Sequence, residues 1–145
     1  MKNFIQKSVL LAVMVFGVMV SYAQIERSSE AVKYADESHQ VFQVVEQAAR
    51  FPGGFDKMNK FLSDNIKYPE KARKDNVQGR VMLSFIIETD GSISDVKVLR
   101  GIGKECDAEA VRVIKSMPKW EPAKNKGKKV RQEFVLPVTF SLQDK

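Results

Sequence analysis

The sequence predicts an α+β domain in which a three-stranded antiparallel sheet, in the spatial order second–first–third, carries helices on one face. Apolar residues at helical spacing over 55–66 and 107–117 indicate two amphipathic helices. Alternating apolar residues over 79–87 and 130–142, with Asp90-Gly91 after the first run, indicate strands and a hairpin. The predicted element order is helix, helix, strand, strand, helix, strand.

The helices are defined by apolar stripes and by the residues at their ends. The first helix follows Phe51-Pro52-Gly53-Gly54, and its stripe consists of Phe55, Met58, Leu62 and Ile66. A short second helix begins at Pro69, whose missing N–H suits a first helical position, and it ends near Asn76. The third helix spans Asp107–Met117, with Asp107 as N-cap or first-turn acid, and Pro118 stops it.

The strands differ in how apolar their two faces are. The run 79–87 is apolar on one face and nearly so on the other, which predicts a central strand, whereas Ile93–Arg100 is poorer in apolar residues and suits an edge. A basic loop is predicted over Lys119–Arg131. In the last strand, one face carries Phe134, Leu136, Val138, Phe140 and Leu142, and the wet face carries Arg131, Glu133, Val135, Pro137, Thr139 and Ser141.

The connections between these strands predict the sheet order. The first two strands form a hairpin, and a right-handed crossover through the third helix places the last strand beside the first. Pro137 supports an edge position for the last strand, because proline cannot donate to a ladder. Such an edge is either a docking site for an extended segment of a partner or an edge that Pro137 itself blunts, and the sequence leaves both interpretations open.

The N-terminus predicts export from the cytoplasm. Residues 1–23 combine Lys2 and Lys7, an apolar run over 9–20, and the small residues of Ser21-Tyr22-Ala23, as expected of a cleaved signal peptide. The alternative is an uncleaved anchor, although Ser8–Ala23 is shorter than the roughly 20 apolar residues of a spanning helix. A polar leader over 24–41 and a domain over 42–145 then complete the chain.

Charge and composition narrow the function classes. Loss of the two signal lysines would lower the formal net charge from +6 to +4, and an exported protein of that charge is not expected to bind nucleic acid. With Cys106 as the only cysteine and His39 as the only histidine, no disulfide or Cys/His zinc site is expected. No catalytic triad, paired carboxylates or phosphate-binding glycine loop is recognisable, so no enzyme, metal or cofactor is predicted.

Three further residues and one segment have a structural interpretation beside a functional one. Trp120 is predicted in the core, Cys106 as a small buried hydrophobe, and His39 as solvated. The segment Lys124–Lys129 is predicted to be a solvated hairpin tip; its functional alternative is contact with acidic groups in the cell envelope.

An ordered set of motifs resembles the C-terminal domain of TonB-family proteins over about Val41–Leu142. These motifs are Phe51-Pro52-Gly53-Gly54, Tyr68-Pro69 with Ala72, Gly79-Arg80-Val81, Asp90-Gly91, Asp107-Ala108-Glu109-Ala110, Met117-Pro118-Lys119-Trp120-Glu121-Pro122 and the run from Phe134 to Phe140. The resemblance is to short members that have Phe-Pro-Gly-Gly before the first helix and that lack a proline-rich spacer.

The resemblance implies a function and a set of binding residues. TonB domains bind the TonB box, a short extended segment of outer-membrane receptors, as an added strand beside their last strand, and the ExbB and ExbD motor supplies force for nutrient uptake. On this chain, the implied partner-binding residues are Asn65, Tyr68, Pro69, Val130, Arg131, Glu133, Val135, Pro137, Thr139 and Ser141. Asn65 stands where the best-known member has a longer amide, glutamine.

The N-terminal part of the sequence differs from that of an energy transducer, which has an uncleaved anchor and a long proline-rich spacer. Three hypotheses about function follow. A leader of residues 24–41 reaches at most ~60 Å, too short to cross a periplasm from an inner-membrane anchor. The leading hypothesis is therefore a periplasmic module that captures a receptor's TonB box by strand addition. The alternatives are an inner-membrane transducer that works with ExbB and ExbD, and a homodimer in which two last strands pair without binding a receptor.

Overall fold

A computed structural model describes residues 40–143, so the predicted signal segment and most of the polar leader lie outside the described residues. The helices and strands, in chain order, are β1 (Val41–Phe42), α1 (Gly54–Asn65), α2 (Glu70–Lys74), β2 (Gly79–Ile87), β3 (Ile93–Arg100), α3 (Lys104–Lys115), β4 (Ala123–Asn125) and β5 (Lys128–Phe140).

The sheet confirms the predicted order of its three long strands. The path runs β1-β5-β2-β3, with β2 in the centre, and both long pairings are antiparallel. The strand count is higher than the three predicted, because two short strands also pair with β5. β1 lies parallel to it at Arg131 and Gln132, and β4 pairs antiparallel from Ala123 opposite Val130 to Asn125 opposite Lys128.

The core forms where the apolar face of the sheet meets the helices. Alternate residues of β2 and β5 point into it, and α1 and α3 cover it with their apolar stripes. The buried side chains on these elements are Val81, Leu83, Phe85, Ile87, Leu136, Val138, Phe140, Met58, Leu62, Cys106, Ala110, Val113 and Ile114. Burying one such aliphatic or aromatic side chain stabilises the fold by about 1.5–3 kcal/mol, so this face fixes the strand register.

Trp120 is a core residue, as predicted. Its side chain is 3% exposed, and its ring meets those of Phe51, Phe85 and Phe134 at centroid distances of 5.6, 5.8 and 5.1 Å. Cys106 is likewise buried, and burial is the main cause that raises the pKa of its thiol. A buried neutral thiol packs as a small hydrophobe, which agrees with the sequence interpretation.

The third helix begins earlier than predicted. It starts at Lys104, so Asp107 lies in its first turn, where its Oδ1 accepts N–H bonds from Ile102 at 2.9 Å and Gly103 at 3.4 Å. The carboxylate therefore holds the loop that leads into the helix. The helix ends at Lys115, two residues before the predicted end at Met117.

The predicted basic loop is largely a β-hairpin. β4 and the start of β5 are joined by Lys126 and Gly127, which have φ of 50° and 75°, the left-handed conformations that a tight two-residue turn requires. At its other end, β5 stops at Phe140, so Ser141 and Leu142 follow the strand instead of extending it.

Candidate functional site

The sheet has two edges, and they differ in regularity. β3 forms one edge, and its pairing with β2 shifts register twice, between Met82 and Leu83 and again between Ser84 and Ile86. Asp95 in this strand has φ of 49°, and Lys97 beside it is exposed. Bulges and charges of this kind twist an edge away from pairing with another chain.

β5 forms the other edge, and it is regular. It pairs with β2 through nine consecutive residue pairs without a shift, from Gln132 opposite Ile87 to Phe140 opposite Gly79. On the side away from β2, the described part of the chain supplies only β1, which pairs at Arg131 and Gln132. Within residues 40–143, the run 133–140 therefore has no strand on that side; we call this run the outer edge of β5.

Pro137 indicates which backbone groups the outer edge presents. Pro137 lies opposite Met82 of β2. Because proline has no N–H to donate, it leaves the ladder with β2 intact when its nitrogen faces the outer side. In an antiparallel pair, alternate residues direct their N–H and C=O groups to the same side. We therefore expect Glu133, Val135 and Thr139 to direct these groups outward, and their side chains lie on the face away from the core.

At its start, the outer edge is bounded by contacts within the domain. Gln43, which follows β1, donates from Nε2 to Glu133 Oε2 at 3.1 Å. Arg131 donates to Glu88 from Nε at 2.7 Å and from a terminal nitrogen at 3.1 Å, and Ser94 also donates to Glu88. The Arg131 side chain is thus held across the sheet, away from a strand at the outer edge.

The Arg131–Glu88 pair makes stability depend on pH. Hydrogen bonding from Arg131 is the main cause that lowers the pKa of Glu88, and the same pair raises the pKa of Arg131. A carboxyl whose pKa is lowered on folding stabilises the fold above its unfolded pKa, and this contribution disappears as pH falls through the folded pKa.

We expect Glu88→Gln to remove part of the acid sensitivity of the domain. Between about pH 5 and about pH 3, wild type should lose about 1 kcal/mol of unfolding free energy that the variant does not lose. Urea unfolding at stepped pH measures this difference, with Glu121→Gln as an exposed control. Parallel pH profiles for wild type and Glu88→Gln would contradict the expectation.

At its far end, the outer edge opens into a cleft of about 410 Å³. Its lining includes Tyr68 and Arg73 from the α2 region and Thr139 and Ser141 from the end of β5. The Tyr68 hydroxyl donates to the Val77 carbonyl, and its ring meets the Phe140 ring edge-on at 5.7 Å. Burial is the main cause that raises the pKa of Tyr68, so its hydroxyl stays a neutral donor.

Arg73 gives this cleft a positive charge. Its guanidinium carbon lies 5.5 Å from the centre of the Tyr68 ring, within the range of a cation–π contact. The side chain is exposed, and sequence analysis did not single it out. The basic residues in the last turn of α2 were visible in the sequence. Only the structure shows that one of them, Arg73, lies over the ring of Tyr68.

The structure brings some of the predicted site residues together and separates others. Tyr68, Thr139 and Ser141 share the cleft, and Glu133, Val135, Pro137 and Thr139 lie along the outer edge. Val130 pairs with Ala123 of β4 and packs against the core. Pro69 precedes α2 and, like Asn65, is not part of the cleft lining.

Asn65 is engaged within the domain. Its Nδ2 donates to the Phe61 carbonyl at 2.8 Å, and its own carbonyl accepts from Arg112 at 2.7 Å. Arg112 also pairs with Glu109 at 2.6 Å, and Glu109 accepts the backbone N–H of Lys67 at 2.8 Å. These bonds hold the segment before Tyr68 against α3, which positions one wall of the cleft.

Metal-binding clusters and membrane-spanning helices are both absent from residues 40–143. This part of the chain contains no group of three or more His, Cys, Asp or Glu side chains placed to hold a metal ion. Its helices are also too short or too polar for any of them to cross a bilayer.

Comparison with known proteins places this fold in a family. Residues 64–142, more than half of the 145-residue chain, match the family described as Gram-negative bacterial TonB protein C-terminal. Protein TonB of Helicobacter pylori strain J99 is 27% identical over 89 residues, which cover 61% of this chain and 30% of that protein. Protein TonB of Pseudomonas aeruginosa PAO1 is 32% identical over 78 residues, 52% of this chain and 22% of that protein.

The chain thus spans less than a third of the length of these relatives. Among solved structures, it is similar to a solution structure of the Helicobacter pylori TonB C-terminal domain, with a TM-score of 0.48 and 27% identity over 62% of this chain and 95% of that one. For the Pseudomonas aeruginosa TonB C-terminal domain, the TM-score is 0.41 at 27% identity, covering 55% and 80%. By its family match, the chain belongs to the TonB C-terminal domain family.

Proposed function

We propose that this chain is an exported binding module that captures the TonB box of outer-membrane TonB-dependent receptors as a strand added to the outer edge of β5. The observation that carries the proposal is the regular run 133–140, which has no strand on its outer side within the described residues. Membership in the TonB C-terminal family supports it. The proposed function is binding, without catalysis, metal or cofactor.

The affinity of the added strand would come mainly from backbone hydrogen bonds. Each bond contributes about 1 kcal/mol net, and Val135 and Thr139, the outward-facing residues beyond the part of the edge that β1 and Gln43 occupy, supply donors and acceptors. Selectivity would come from side chains of the guest at a period of two, one of which reaches the cleft beside Tyr68. β1 and Gln43 set the start of the binding run, because they already occupy the edge up to Glu133.

We expect a TonB-box peptide to perturb the backbone amides of 133–140 and leave those of 93–100 in β3 unchanged. The measurement is a titration of the chain with labelled backbone nitrogens, and a peptide of the same composition in scrambled order is the control. The solution mass is measured alongside, because a homodimer paired through β5 would occupy the same edge and dissociate as peptide is added. Perturbation confined to β3, or none along 133–140, would contradict the proposal.

The proposed location is the periplasm, with residues 1–23 removed as a signal peptide. Work with ExbB and ExbD belongs to the alternative in which that segment stays as an inner-membrane anchor. We expect mass spectrometry of the protein isolated from cells to show a chain that begins at Gln24. A chain that retains Ser8–Ala23 and fractionates with the inner membrane would favour the transducer instead.

A further inference from the structure

The apolar stripe of α1 begins with a side chain that lies outside the core. Met58 and Leu62 of this stripe are buried, whereas the side chain of Phe55 is 67% exposed. Among residues 40–143, no other aromatic side chain is exposed to this degree. Aromatic side chains are enriched in protein interfaces, where the ring is buried against a partner, so Phe55 is a candidate contact residue.

A cavity of about 300 Å³ lies beside Phe55, which forms part of its lining. Two motifs that binding along β5 does not use, Phe51-Pro52-Gly53-Gly54 and the segment around Trp120, meet here. A Cβ at Gly54 would meet no atom within 4 Å, so the cavity is not closed on that side. The other lining residues, mostly apolar, are Ala49, Arg50, Phe51, Gly54, Met58 and Trp120. An apolar cavity of about 150 Å³ can hold a benzene molecule, so this one has room for a phenyl ring.

Two charges of opposite sign accompany the ring and the cavity. Arg50 lines the cavity, Asp56 directly follows Phe55 at the start of α1, and both side chains are exposed. None of the ion pairs within residues 40–143 includes either of them. We call Arg50, Phe55, Asp56 and the cavity the α1 patch. It offers a ring and a place for a ring, and one charge of each sign.

We propose that the α1 patch is a dimer interface in which Phe55 of each copy inserts its ring into the cavity of the other. A two-fold interface brings the same patch of both copies together, so that patch must complement itself. The ring and cavity satisfy this condition in shape, and Arg50 of one copy opposite Asp56 of the other satisfies it in charge. A second copy of the chain therefore uses all four features of the patch at once.

The α1 patch shares no residue with the outer edge of β5 or with the cleft beside Tyr68. A dimer formed through it leaves the outer edge of both copies available. The dimer therefore does not depend on the proposed TonB-box binding, and a TonB-box peptide should bind without separating the copies. This behaviour distinguishes it from a homodimer paired through β5, which would dissociate as peptide is added.

The first test measures the mass of the full chain by sedimentation equilibrium over a range of protein concentrations. We expect dimers, and we expect the emission of Trp120, the only tryptophan, to shift as they form, because a ring enters the cavity that its indole lines. Phe55→Ala should raise the dimer Kd by about tenfold or more, since a buried aromatic anchor dominates such contacts. Leu99→Ala, which truncates a 58% exposed side chain on β3, is the matched control and should dimerise as wild type does.

The second test exchanges the two charges. Arg50→Glu and Asp56→Arg each place like charges across the interface, so each variant alone should dimerise more weakly than wild type. An equal mixture of the two variants restores opposite charges at both contacts of a mixed dimer and should regain dimerisation. Damage to the fold of either variant would not be repaired by mixing, so recovery assigns the effect to contact between copies.

Four outcomes would overturn the proposal. These are a chain that stays monomeric at every concentration, a dimer that Phe55→Ala weakens no more than Leu99→Ala does, a mixture of the charge variants that remains monomeric, and a dimer that TonB-box peptide dissociates. Urea unfolding of Phe55→Ala should match wild type, because the side chain is largely exposed in the single chain.

Discussion

Val135→Pro is expected to weaken TonB-box peptide binding at least tenfold while leaving the domain folded. Val135 lies in the middle of the outer edge, its side chain is 49% exposed, and its N–H is expected to face outward in phase with the Pro137 nitrogen two residues on. The substitution removes one N–H that β5 would donate to the guest strand, and the proline ring also prevents close approach of that strand. Isothermal titration of the full chain with the peptide measures the loss.

Two control variants separate this effect from general damage. Val135→Ala shortens the same side chain but keeps the N–H, so it should bind peptide within about twofold of wild type. Leu99→Pro introduces a proline into the opposite edge, at a side chain that is 58% exposed, and should leave peptide binding unchanged. Together they assign the loss to a backbone donor at one edge of the sheet.

The same variant tests the orientation inferred from Pro137. If the Val135 N–H bonded to Ser84 of β2, the proline would break the central ladder and lower the urea midpoint strongly. A destabilised Val135→Pro domain would therefore refute the assignment of outward groups. A stable domain that binds peptide as wild type does would refute strand addition at β5.

The long elements of the fold were predictable because each has an extended periodic pattern with clear end signals. The alternation from Val81 to Ile87, with Asp90-Gly91 after it, gave both the central strand and the hairpin. β1 and β4 have two and three residues, too few to show a period, and they are held by partners far along the chain. These two strands exist only through their pairing with distant parts of the chain, so the number of strands predicted from the sequence was too low.

The sequence predicted which face of the last strand is exposed to solvent. It did not predict which side chains on the candidate site are free to contact a partner and which are already bonded within the domain. The alternation in β5 correctly put Val135, Pro137 and Thr139 on the wet face. The sequence could not show that Arg131 is held by Glu88, or that the Asn65 amide bonds to its own helix, because both facts depend on contacts between separate elements. Ser141 lies past the strand but still lines the cleft, where it is beside Tyr68.

Gly91→Ala is expected to destabilise the domain by about 2–5 kcal/mol. Gly91 has φ of 85°, which disfavours alanine by about 1–2 kcal/mol, and a Cβ there would lie 2.0 Å from the Trp120 carbonyl oxygen. Since the Gly91 carbonyl also accepts the Trp120 N–H at 2.8 Å, the two backbones cannot separate without losing that bond. Overpacking of this kind adds about 1–3 kcal/mol, and urea unfolding measures the sum.

Gly127→Ala is the matched control, because it isolates the backbone contribution. Gly127 has φ of 75°, and a Cβ there would meet no atom within 4 Å, so the variant should lose only the conformational contribution of about 1–2 kcal/mol. The difference between the two variants then measures the contact with Trp120, the residue whose ring packs among Phe51, Phe85 and Phe134. Equal losses of unfolding free energy in the two variants would mean that the turn at Gly91 moves away from the Trp120 carbonyl without displacing the tryptophan. A larger loss at Gly91 would show that the turn before β3 is packed directly against the backbone of Trp120, which leads into β4.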